Sequence, residues 1–235
     1  MFRKRYPRIY ELRDFVPAPH PPEAYFKDLD FSLAQISQKR KQYNDIEAEL
    51  AILDEDAWSF LKQEARPHVL KRDKHRAWQQ LFDTLNQAKA YGYLKREGYQ
   101  DVAFIPRSTI DGQQTPDLKA TGKEGPVLCE VKTLNISNDE IDRMTTGGFG
   151  TTRSRLNDAF LNKLTTTLTA AERQMATFLP GEARRVVYVI VNFDDRLHEY
   201  SGEYQRQIDD LIKGRQGVIE AIFDIKPAFY TALGD

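Results

Sequence analysis

Cysteine is nearly missing from this chain of 235 residues. The single thiol, Cys129, rules out an intramolecular disulfide and leads us to expect a reducing, cytoplasmic setting. Long apolar runs are missing too. The longest, "VVYVIV" from Val186 to Val191, is far too short to cross a bilayer, and the basic start "MFRKRYPRIYELRDF" lacks the apolar run of a secretory signal, so no membrane partner is expected. Charge of one sign is not in excess: the formal net charge is −1, so any attraction for nucleic acid must come from local clusters of lysine and arginine. His20, His68, His75 and His198 show no HExxH or other zinc spacing, and no GxSxG nucleophile elbow occurs. The glycines of "TTGGFGTTRSR", residues 145 to 155, lack the Lys-Ser/Thr that ends a phosphate-binding P-loop.

What is present is a chain of ordinary globular composition, long enough to bury a core without disulfides or structural metal. Prolines and aromatics crowd the first 30 residues and predict an extended arm. Residues 31 to 65 show helical periodicity that Pro67 is expected to end, and the acidic run from Asp45 to Asp56 could neutralise the basic run Lys62 to Arg76 or fold against a second subunit. A second helical pattern runs from about His75 to Tyr99, with Gly98 as its stop. "DVAFIPRS" has strand character, "VLCEVKTL" alternates as a strand does, and "RRVVYVIVNF" reads as a buried strand. Between the last two, Leu156, Phe160, Leu164, Leu168, Ala171, Met175 and Phe178 mark a long amphipathic helix. A helix from about Tyr204 to Lys213 and an element around "VIEAIFDI" follow. The fold class expected is α/β, a mixed sheet with helices on its faces. We expect an arm and helical extension over residues 1–70 and the main domain over 71–235.

The stretch "TPDLKATGKEGPVLCEVKTLN", residues 115 to 135, sets charges into apolar strands, which is costly without compensation. Gly122 and Gly125 predict a hairpin turn near Lys123. That turn brings Asp117 and Glu130 nearly opposite each other, with side chains roughly 5 Å apart at Cβ. Alternation sets Leu128, Glu130 and Lys132 on one face and Val127, Cys129 and Val131 on the other. Two carboxylates this close repel unless a cation sits between them, and a small cluster of hard oxygen ligands suits Mg²⁺ or Mn²⁺. The plain alternative is a solvated strand face with an ordinary ion pair.

Pro116-Asp117 followed by Glu130-Val131-Lys132 resembles the signature of the PD-(D/E)XK nuclease superfamily, whose restriction-endonuclease-like core runs helix, three strands, helix, strand. The resemblance covers roughly residues 75 to 194, about two thirds of the chain taken with its flanks, and leaves the first ~70 residues unexplained. It implies a metal-dependent nuclease, an endonuclease for which DNA is the first substrate expected and RNA the open alternative, with Asp117 and Glu130 as metal ligands and Lys132 positioning or activating the attacking water. Many relatives carry a further acid on the first core helix. Here Asn86 and Gln87 are uncharged and Asp83 lies a turn earlier, so one tightly held cation is expected, with Gln87 and Asp83 as supporting residues. Gln174, on the long helix, matches a residue that in some relatives orients water or contacts substrate. Arg107, Arg153 and Arg155 are the expected phosphate contacts. The basic run Lys62 to Arg76 reads more readily as a solvated helix face than as a second one. The rival expectation is an inactive relative serving as a nucleic-acid-binding or protein-interaction module. The arm in either case would assist dimerisation, as in a homodimer, or substrate selection.

Overall fold

The computed structural model describes residues 2–70, 72–73, 77–110, 112, 114–135, 155–193, 200–213 and 219–227. They fall into two compact units, Met1–Gly92 and Tyr93–Ala228, and the chain passes from one to the other within a helix.

The first unit is helical. It contains α1 (Phe2–Arg5), α2 (Pro7–Arg13), α3 (Leu29–Gln35), α4 (Ser37–Leu50), α5 (Glu55–Val69), α6 (Gln79–Leu85) and the start of α7 (Gln87–Arg96). The extended arm expected for the first 30 residues is not found over residues 2–13. Pro7 stands in the first turn of α2, where its fixed φ suits a helix and its missing N–H costs nothing, and Ile9, Tyr10 and Leu12 are buried. The orphan N–H groups of that first turn are met from a distance. The Glu47 carboxylate of α4 accepts from the Arg8 N–H at 3.1 Å and from the Ile9 N–H at 3.0 Å.

The single helix expected over residues 31–65 is three. Asp54 restarts the chain as the N-cap of α5, its Oδ1 accepting from the Ala57 N–H at 2.9 Å while its Oδ2 accepts from the Tyr91 hydroxyl at 2.6 Å. Pro67 lies inside α5, which runs two residues further to Val69; so close to the C-terminal end it forfeits few main-chain bonds. The pattern expected as one helix up to Tyr99 is likewise two, divided at Asn86. An ion pair with a buried lysine, Lys89 Nζ to Glu49 Oε1 at 2.6 Å, ties α7 to α4. Of the basic run, Lys62 is paired with Glu11 at 2.6 Å and Arg66 lies over the Phe15 ring, which accords with a helix face. Lys71, Lys74, His75 and Arg76 lie outside the described residues.

The second unit is α/β. Gly98, at φ +82°, ends α7 in the left-handed conformation that a glycine adopts without strain. Then come β1 (Gln100–Phe104), β2 (Leu118–Gly122), β3 (Gly125–Leu134), α8 (Asp158–Phe178), β4 (Arg184–Phe193), α9 (Ser201–Lys213) and β5 (Glu220–Pro227). The five strands lie side by side in the order β1-β2-β3-β4-β5. The β1–β2 and β2–β3 pairs are antiparallel; β3–β4 and β4–β5 are parallel, each parallel pair joined through a helix as such crossovers require.

β3 is therefore internal to the sheet, and the run Val127 to Glu130 is buried on both of its faces. Leu128, Val187 and Val189 on one face pack against Leu164, Leu168 and Met175 of α8, each fully buried apolar side chain contributing about 2 kcal/mol. On the other face Tyr93, at the end of α7, lies 5.7 Å from the Tyr188 ring, and its hydroxyl donates to Glu220 at 3.0 Å. Among the described residues no helix is long and apolar enough to cross a membrane.

Candidate metal centre at the β2–β3 hairpin

The turn between Gly122 and Gly125 fixes the register of everything above it. From there Leu118 pairs with Cys129, and the same register carried one residue further sets Asp117 opposite Glu130. Asp117 stands just before β2, between two strands. Its carbonyl accepts from the Ile105 N–H at 2.9 Å, and its carboxylate Oδ2 accepts from the Val131 N–H at 2.7 Å. The preceding Pro116 is buried. Glu130 lies mid-strand in β3, flanked by β2 and by Val187 of β4. Both of its oxygens are engaged: Oε1 accepts from Lys132 Nζ at 2.5 Å and Oε2 from Gln174 Nε2 at 2.9 Å.

Gln174 does more than touch Glu130. The same amide nitrogen donates to the Thr115 carbonyl at 2.8 Å, so one side chain of α8 holds both the glutamate and the segment leading into Asp117. Glu130 with Gln174 on α8 confirms that Leu128 and Glu130 share the α8 face, as strict alternation requires. Cys129 points the other way and is buried. Burial first, and the two neighbouring acids next, push its thiol far up, which leaves it inert as a nucleophile.

Electrostatics at the pair run against ordinary carboxylates. Burial raises the Asp117 carboxyl, an effect opposed by the Val131 N–H and by the charges of Lys132 and Arg107. Burial also pushes Glu130 up, to about 7; the Asp117 charge adds to the rise, while Lys132 and Gln174 oppose it. Lys132 and the more distant charge of Arg107 do not offset the burial and mutual repulsion of the two acids, so the site favours a proton or a cation. A divalent ion fits that deficit. Its protein ligands would be Asp117 and Glu130. Among the described residues no group of three or more His, Cys, Asp or Glu gathers, and Mg²⁺ is an ion that keeps several waters beside one or two carboxylates.

No family model matches the chain, and no significant match to it is found among curated proteins or solved structures. The case for function therefore rests on the geometry itself.

The structure brings Asp117, Glu130, Lys132 and Gln174 together. Arg107 is exposed on the segment after β1, near enough for its charge to act on Asp117. Arg155 is exposed two residues before the Asn157 cap of α8. Asp83 and Gln87 belong to the first unit, where Asp83 accepts from Gln79 at 3.4 Å and Gln87 opens α7. Arg153 and the glycine-bearing loop around it lie outside the described residues. Two participants were not anticipated: the Thr115 carbonyl and the Val131 N–H. The register that set Asp117 opposite Glu130 already carried the second, since a carboxylate at the mouth of a hairpin can reach the facing main chain.

Proposed function

We propose that this protein is a metal-dependent nuclease of the PD-(D/E)XK type that hydrolyses phosphodiester bonds, with DNA as its substrate. The observation that carries the reading is the facing pair Asp117 and Glu130 with Lys132 two residues along the same strand. An element order of helix, three strands, helix, strand, with an antiparallel hairpin leading into a parallel crossover, supports it.

The protein's own groups divide the work. Asp117, fixed by the Val131 N–H, and Glu130, held by Gln174, form a carboxylate pair whose positions are set before anything binds. A divalent cation bound by them would polarise the scissile phosphate and offset the charge that develops on it. Lys132 brings an ammonium group to the same spot, where it orients water for in-line attack. Arg107 and Arg155, both exposed, are the groups available to neighbouring phosphates.

The test is cleavage of single- and double-stranded DNA, with RNA in parallel, under Mg²⁺ or Mn²⁺. Asp117→Ala and Glu130→Ala should each lower the rate by at least about 100-fold, the scale on which charge-stabilising groups act. Undiminished cleavage by Asp117→Ala contradicts the assignment.

A second reading, an inactive protein of the same fold that binds nucleic acid or another protein, is favoured by one observation. Lys132 already supplies Glu130 with a counter-charge. A melting temperature indifferent to Mn²⁺, together with no cleavage under any divalent ion, selects that reading.

A further inference from the structure

Glu130 and Lys132 differ in their freedom. The Glu130 side chain is 4% exposed and the Lys132 side chain 32%. Glu130 is also pinned from the far side, because Gln174 holds Oε2 and is itself anchored on the Thr115 carbonyl. The acid therefore cannot swing out to meet an incoming ion. Lys132 can swing away, since its ammonium rides on a flexible four-carbon stem and Glu130 is the partner it holds. A divalent ion bridging Asp117 and Glu130 must take an oxygen of Glu130, and Oε1 is where the Lys132 ammonium sits, at 2.5 Å. Two cations do not share that position.

We propose that Lys132 is a displaceable counter-ion for the acid pair: the divalent ion enters by driving the ammonium off Glu130 Oε1, and only then is Lys132 free to face water or phosphate. The proposal rests on the nuclease reading and deepens it. It makes assembly ordered, with metal first and lysine second, and it makes Lys132 a competitor of the metal as well as a group of the site. The resting protein thus keeps a counter-charge on Glu130 without an ion, and its lysine becomes available only where an ion is present to replace it. Lys132 in this role is a positioning residue whose signature lies in metal affinity.

The experiment is calorimetric titration of Mn²⁺ into the full chain at pH 8, for the wild type, Lys132→Gln and Lys132→Arg. Glutamine keeps a donor for Glu130 and removes the charge, so Lys132→Gln should bind Mn²⁺ about tenfold more tightly than the wild type, the scale of one nearby like charge. Lys132→Arg, which keeps the charge, should stay near the wild-type affinity. A second measurement needs no variant: amine-directed labelling of the wild type, read by mass spectrometry, should modify Lys132 several-fold faster with Ca²⁺ than without. Equal or weaker Mn²⁺ binding by Lys132→Gln, or labelling of Lys132 unchanged or slowed by Ca²⁺, overturns the displacement while leaving the metal site standing. Absence of Mn²⁺ binding in all three proteins overturns both the displacement and the nuclease reading beneath it.

Discussion

Each compact unit of this chain holds a lysine against a glutamate at nearly the same distance, 2.6 Å for Lys89–Glu49 and 2.5 Å for Lys132–Glu130, yet the two pairs are built the opposite way round. In the helical unit the lysine is the sunken partner, its side chain 2% exposed against 24% for Glu49. In the α/β unit the glutamate is sunken, 4% exposed against 32% for Lys132, and a second acid, Asp117, faces it. The first arrangement ties helix to helix and leaves the carboxylate near water. The second buries one acid, sets a half-buried one opposite it and leaves the lysine half-exposed, which serves stability poorly and suits an incoming cation well. Ion pairs of equal length can therefore have different purposes, and the partner that is buried tells them apart.

The comparison breaks most sharply in the helical unit. Glu49→Ala takes one charged hydrogen-bond partner from the sunken Lys89 ammonium and should cost about 2–3 kcal/mol in urea unfolding. A loss below about 1 kcal/mol would make the pair no more than a surface contact.

The opposite sign is expected at the other pair. Glu130→Gln removes an anion that its surroundings disfavour, so at pH 8 and without metal it should stabilise the chain by on the order of 2 kcal/mol, at the expense of activity. Below pH 4, where the folded and unfolded chains alike hold that proton, the gain should vanish.

pH sharpens the same contrast in the wild type. Asp117 and Glu130 both titrate higher when folded, so between their unfolded values, about 4, and the folded range the native chain binds more protons than the unfolded one. The site's contribution to stability is then fully present below pH 4 and is lost as pH rises through about 7. Mn²⁺ should raise the melting temperature more at pH 8 than at pH 5. An equal rise at both contradicts the assignment of the ion to these acids.

The smallest effect belongs to the helical unit. Asp54→Ala removes the cap of α5 and the acceptor of the Tyr91 hydroxyl, and should cost about 1–2 kcal/mol. A loss larger than that of Glu49→Ala would show that helix ends, and not the sunken charge, hold this unit together.

The same contrast governs what could be read before folding. The hairpin was legible because its information is local: two glycines set the turn, and a period of two carries the register from Gly122 to Asp117 and Glu130. Leu164, Leu168 and Met175 marked α8 by spacing alone, and "VVYVIV" marked β4. The N-terminal segment misled because its prolines and aromatics look like an extended arm. Its helix depends instead on Ile9 and Leu12 finding a core and on Glu47, some 38 residues away, capping the first turn. Pro67 misled in a similar way, since a proline two residues from a helix end breaks little. Gln174 was visible as a candidate, but its double hold on Glu130 and the Thr115 carbonyl depends on how α8 lies across β3, which no spacing in the chain encodes.

Diffraction from crystals soaked in Mn²⁺, collected at a wavelength where manganese scatters anomalously, tests the central claim most directly. The account predicts an anomalous peak between Asp117 and Glu130, roughly 2.0–2.4 Å from an oxygen of each, with the Lys132 ammonium withdrawn from Glu130. A map with no peak there, and Lys132 still seated on Glu130 at saturating Mn²⁺, would contradict it.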